Sequence, residues 1–124
     1  MSYKKQSFNQ KVSNAVAGIC VAFKEESNLR LHFVMTVVVL LAGFFFQISL
    51  LEYVLILFAI GLVVTVELLN TSLENFSDFF CKEENINIKK IKDVSAGAVL
   101  VASLVAAVIG LLIFLPKLTL FFIF

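Results

Sequence analysis

The apolar residues of this chain fall into one interrupted stripe and three long runs. In the first part, Phe8, Val12, Ala15, Val16, Ile19 and Phe23 recur at helical spacing, while Asn9, Ser13 and Lys24 sit off that stripe. This predicts an amphipathic helix over about residues 5–25. It either lies on a membrane surface or packs on the protein's own polar end. The first run is Phe33–Leu51, interrupted only by Thr36, Gln47 and Ser49. The second begins at Tyr53 and is uncharged to Val66, and the third is the uncharged stretch Val94–Leu115. A helix needs roughly 20 residues to cross the hydrocarbon of a bilayer. The first and third runs have that length. The second reaches it only by taking Glu67 and the next few residues into the membrane. The pattern therefore predicts an all-α membrane protein, a single membrane domain over 1–124. Its spans are about 30–51, 53–80 and 92–115, and the surface helix precedes them.

The connections are short. Residues 47–52 join the first two spans as an antiparallel hairpin, and residues 81–92 join the second and third. Pro116 is expected to end the last helix, because its ring removes a hydrogen bond. The apolar tail LTLFFIF then lies at the outer interface, with no function assigned to it. Lys4, Lys5, Lys11, Lys24 and Arg30 precede the first span, and Lys82, Lys89, Lys90 and Lys92 lie between the second and third. The 47–52 turn carries no Lys or Arg. This asymmetry predicts that the N-terminus and the 81–92 connection are cytoplasmic.

Composition agrees with the pattern. The chain is 60% hydrophobic, with mean hydropathy +1.01, above the usual half for soluble domains. The net charge of +1 and the lack of a basic face argue against a nucleic-acid partner. Cys20 and Cys81 form no metal or redox spacing and are expected to be ordinary apolar positions. No stretch near the start has the charged, apolar and small-residue order of a cleaved leader, so membrane entry is assigned to the spans themselves.

The chemistry is concentrated in VELLNTSLENFSD, residues 66–78. At about 100° per residue, Glu67, Asn70, Glu74 and Asp78 fall within roughly an 80° arc of one helix. Glu67 and Glu74 are about 10 Å apart along the axis. An acid at membrane depth costs at least ~2.5 kcal/mol to insert, which makes it a functional candidate. The alternative is a structural pair with a Lys or Arg, and the three apolar runs contain none. Glu25 and Glu26 before the first span and Asp93 before the third belong to the same level. Carboxylates with a few cations suit Mg²⁺ carrying phosphates. The glycines form no Walker-type loop, so a soluble-NTPase phosphate cradle is absent. His32, without companion ligands, reads as an interfacial or helix-capping histidine rather than a metal ligand.

Three motifs in this order resemble a known family: E-x-x-x-R at Glu26–Arg30, E-L-L-N-T-x-x-E-x-x-x-D at 67–78, and K-D-x-x-A-G-A-V at Lys92–Val99. They are similar to the small integral-membrane diacylglycerol kinases, a family that includes bacterial undecaprenol kinases. The likeness runs from Ala15–Gly18 to Pro116. Ile91 and Ser95 depart from the usual pattern without removing a catalytic group. The resemblance implies a homotrimer in the bacterial cytoplasmic (inner) membrane, with active sites between protomers at the cytoplasmic face. It implies transfer of the ATP γ-phosphoryl group to a lipid's primary hydroxyl, giving a lipid phosphate for phospholipid or envelope-carrier metabolism. It assigns Glu67 as the base and as a contact of the lipid, with Asn70 orienting the reacting groups. Glu26 and Glu74 are assigned to Mg²⁺ and, with Asn14, Lys92 and Asp93, to ATP. Arg30 is assigned to the lipid headgroup. The segment Asn28–His32 leans towards the undecaprenol branch.

Two other classes are open to the residues. A small cation channel or transporter subunit needs acids along a whole path, and here they gather at one side. A non-enzymatic membrane adaptor has no need of Glu67 at depth.

Overall fold

A computed structural model describes residues 4–80, 83 and 85–123. The elements are α1 (Phe8–Glu25), α2 (Ser27–Phe45), α3 (Leu50–Phe80) and α4 (Ile86–Ile123), with no strand among the described residues. Helices α2, α3 and α4 are each long and apolar enough to cross a membrane. At about 1.5 Å per residue, α2 spans roughly the ~30 Å hydrocarbon core, and α3 and α4 project well beyond it.

Helix α1 starts in a reciprocal cap. Ser7 Oγ accepts from the Gln10 amide at 3.3 Å, and the Ser7 amide donates to Gln10 Oε1 at 2.9 Å. Helix α1 ends where Glu26 turns extended, at φ −108° and ψ 113°. That single residue separates the surface helix from α2. The α1 carbonyls left without amide partners are taken by Arg30, whose Nη1 donates to Phe23 O at 2.9 Å and Lys24 O at 2.8 Å. Phe23 meets the Phe33 ring edge-on across the same corner. Cys20, expected among ordinary apolar positions, lies exposed on α1. Cys81, Lys82 and Glu84 lie outside the described residues.

The α2–α3 hairpin turns through Gln47, which adopts φ 51°. The Ile48 amide donates back to Gly43 O at 3.1 Å. A Cβ on Gly43 would stand 2.8 Å from Ile48 Cδ1 and 3.1 Å from the Tyr53 ring, so the close turn requires glycine there. Ser49 and Glu52 then form a second reciprocal cap, at 3.0 and 3.2 Å, that starts α3. Ile48, Ile56 and Ile113 form the apolar core beside this turn, backed by Phe46, Tyr53 and Phe114.

Two expectations are corrected. The 81–92 connection is shorter than predicted, because α4 already begins at Ile86. Asn85 Oδ1 accepts from the Asn87 amide at 2.8 Å, as a cap residue does. Nor does Pro116 end α4, which continues to Ile123. The last turns are tied to the hairpin by Lys117, whose Nζ lies 3.3 Å from Glu52 Oε1. The Phe121 ring, which packs against Phe45 and Phe46, adds a second tie. Helices packed in a membrane tolerate proline for this kind of reason. The tail is thus a helical cap over the hairpin.

Candidate active site

Helix α3 buries one stripe: Ile56, Ala59, Val63, Glu67 and Thr71. The spacing is that of a helix face, so Glu67 occupies the register of the apolar residues that precede it. It is only 3% exposed. Its partner is His32 of α2, with Nε2 3.1 Å from Glu67 Oε1. An ionised carboxylate can only accept, so in that state Nε2 carries the proton and donates. The reading of His32 as an interfacial or capping residue did not include this contact with a buried acid. The histidine is half-buried.

The pairing had a signal in the sequence. His32 and Glu67 lie equally far from the midpoint of the predicted 47–52 turn. An antiparallel hairpin places such residues at one depth. Searching only for Lys and Arg partners missed it.

Along the predicted arc exposure rises from Glu67 outward, while Thr71 and Ser77 of the same helix stay buried. Asn70 and Glu74 are half-buried and Asp78 is exposed. The predicted arc is therefore graded from the protein interior towards water. Asn70 Oδ1 is buried and has no hydrogen-bond partner among the described residues. Such an orphaned acceptor costs about 1–3 kcal/mol, which marks Asn70 as a position waiting for a donor.

On the facing helix, Lys92 reaches across to Asp78 Oδ1, and Lys89 pairs with Asp93 Oδ2 at 2.6 Å. These groups precede the uncharged part of α4. The hydrogen bond it donates to Asp93 raises the pKa of the Lys89 ammonium above its usual value, and the one donated to Asp78 does the same for Lys92. The α3–α4 contact is the most extensive in the fold, and Lys92–Asp78 holds its polar end. The Asp78 partner of Lys92 was not foreseen, since the stripe was read for what it offers substrates and not for links to α4.

Of the other candidates, Glu26 sits half-buried at the α1–α2 corner and Asn14 is exposed on α1. Arg30 caps α1 as described. α1 touches both α2 and α3, so its end and the Glu26 corner belong to the same pole as Glu67. Among the described residues, no three His, Cys, Asp or Glu side chains converge into a metal cage.

A pocket of about 510 Å³ opens between α2, α3 and α4. It is lined by apolar residues such as Met35, Ile60 and Val63, by small α4 residues such as Ala106 and Gly110, and by His32 and Thr36. Its lining thus joins the buried acid's partner to the membrane-facing apolar surface.

Three helices of bilayer length define a membrane protein, and one of them carries a buried carboxylate. The sequence matches the family model for prokaryotic diacylglycerol kinase over residues 13–114. It is 38% identical over 105 residues to the undecaprenol kinase of Bacillus subtilis (strain 168), covering 85% of each chain. It is 34% identical over 105 residues to the diacylglycerol kinase of Synechocystis sp. (strain ATCC 27184 / PCC 6803 / Kazusa), covering 84% of this chain and 60% of that protein. The chain belongs to the prokaryotic diacylglycerol kinase family, and it is a lipid kinase.

Proposed function

We propose that the chain phosphorylates the primary hydroxyl of a membrane lipid with ATP, and that undecaprenol is its preferred acceptor. The hydroxyl oxygen forms a bond to the γ-phosphorus, the bond to the β–γ bridging oxygen breaks, and ADP leaves. Glu67 receives the hydroxyl proton. The observation that carries this reading is the buried Glu67 carboxylate, set at one pole of a hairpin whose apolar surface the lipid shares.

Depth explains the arrangement. A lipid cannot rise into water cheaply, since each exposed methylene costs ~0.8 kcal/mol. Mg·ATP cannot enter hydrocarbon. Glu67 lies about 26 Å along α3 from its start at Leu50, close to the far boundary of a ~30 Å core. Glu74 lies about 10 Å further out on the same face. One helix thus carries a proton acceptor at the lipid's level and a carboxylate at the phosphates' level. Phosphoryl transfer relies mainly on positioning and charge neutralisation.

Glu26 and Glu74 offer the hard oxygen donors that suit a magnesium ion, which is usually held by one or two carboxylates plus phosphates and water. Bound there, it would neutralise charge on the transferring phosphoryl group. In this reading Lys92, Asp93 and Asn14 contact the nucleotide. Asn70 offers its orphaned acceptor to a reacting group, and Arg30, fixed at the α1–α2 corner, faces the lipid headgroup. The Lys and Arg asymmetry supports a cytoplasmic orientation for this pole, in a chain that this reading assigns to the bacterial inner membrane. The broadly exposed apolar surfaces of α2 and α4 leave room for two further copies in a homotrimer.

The likeness to the Bacillus subtilis protein named undecaprenol kinase, over most of both chains, supports undecaprenol as the acceptor. Purified protein in mixed micelles with labelled Mg·ATP should phosphorylate undecaprenol faster when the two lipids compete at equal mole fraction. Preference for diacylglycerol would reverse the acceptor assignment. Phosphorylation of neither would overturn the reaction.

A further inference from the structure

We infer that His32 is the positioning residue of Glu67: it holds one carboxylate oxygen so that the other is left to receive the lipid's proton. The inference rests on the reading of Glu67 as that acceptor.

The geometry is specific. His32 Nε2 lies 3.1 Å from Glu67 Oε1, the two side chains being 25% and 4% exposed. The bond links residues 35 apart in sequence across the α2–α3 hairpin. The position of the ring along α2 is fixed by the helix that carries it. Thr36 Oγ1 also donates to the His32 carbonyl at 2.8 Å, which anchors the backbone of that turn. Glutamate has three rotatable side-chain bonds, and a buried one with no partner would sample several rotamers. A single donor from a stiff ring removes that freedom. His32 also lines the apolar pocket between α2, α3 and α4.

A purely structural bond would clamp α2 to α3 and do nothing else. The two roles separate in kinetics. His32→Phe keeps a ring of similar size and removes the donor. His32→Gln places an amide nitrogen near the former Nε2 and restores it. Initial rates should be measured in mixed micelles, well below the melting midpoint of each variant, with helicity checked by circular dichroism. The inference predicts that His32→Phe lowers kcat by roughly 10- to 100-fold, the worth of a hydrogen bond to a charged group. KM for Mg·ATP should stay unchanged, and His32→Gln should recover most of the rate. Wild-type kcat in folded His32→Phe, a change confined to KM, or a His32→Gln as slow as His32→Phe would overturn it. Glu67→Gln in the same assay separates the two claims. If Glu67→Gln keeps its rate, the acceptor reading falls and this inference with it. If Glu67→Gln is slow while His32→Phe is not, only the role of His32 falls.

Discussion

Replacing Glu67 by glutamine separates chemistry from architecture unusually cleanly in this fold. The side chain is buried, and its partner His32 can donate to an amide oxygen as it does to a carboxylate. Glutamine therefore keeps the 3.1 Å contact, in a neutral form. A hydrogen bond to a charged group contributes about 1.5–3 kcal/mol and a neutral one about 0.5–1.5. The weaker bond is offset because an amide is less costly to bury than a carboxylate. The net change in stability should therefore stay within about 1 kcal/mol. Loss of the proton acceptor, in contrast, should lower kcat by roughly 10²- to 10⁴-fold. Glu74 lies about 10 Å further along α3, so KM for Mg·ATP should change by less than about twofold. The assay is initial-rate lipid phosphorylation in mixed micelles, varying lipid mole fraction and Mg·ATP independently, beside a thermal melt of the same preparation. A Glu67→Gln protein with more than about a tenth of wild-type kcat would refute the role of Glu67. So would one whose deficit appears chiefly in KM for Mg·ATP.

Other substitutions probe the rest of the pole and the turn that sets its depth. Glu74→Gln should raise the magnesium concentration for half-maximal rate by roughly tenfold or more, and an unchanged magnesium dependence would remove Glu74 from the metal. Lys92→Met should raise KM for Mg·ATP, whereas Asp78→Asn should leave it near wild type and lower stability by less than about 1 kcal/mol, since the pair is largely exposed. Equal kinetic defects in the two would mean that Lys92 serves only to join α3 and α4. Gly43→Ala sets a helix-propensity gain of about 1 kcal/mol against about 1–3 kcal/mol of overpacking on Ile48 and Tyr53, so a thermal melt should show destabilisation. Gly97→Ala, with nothing within 4 Å of the added methyl, should show the propensity gain alone, and equal gains in both would refute the packing argument.

The helices were legible because apolar periodicity and length are one-dimensional properties. Spans, hairpin and surface helix all follow from where apolar residues recur. The departure at Pro116 has a different cause. The helix passes Pro116 because Lys117 meets Glu52 and Phe121 meets Phe45 and Phe46. Those partners are more than sixty positions away, and a local rule about proline has no access to them. The shortened 81–92 connection has a local cause that was overlooked, since Asn85 is a good cap residue ahead of a helix.

The same distinction governs the site. That Glu67 requires a partner follows from the cost of burial, which depends on its position in an apolar run. Which partner it finds depends on the hairpin register, and that register is set at Gly43, Gln47 and the Ser49–Glu52 cap. Inserting one residue into α2 between His32 and Gly43 would rotate His32 by about 100° about the helix axis relative to the turn. His32 would leave Glu67 although neither residue had changed. The buried acid and the tight turn are therefore one functional unit, with the turn at one end of the membrane fixing the geometry of a carboxylate near the other.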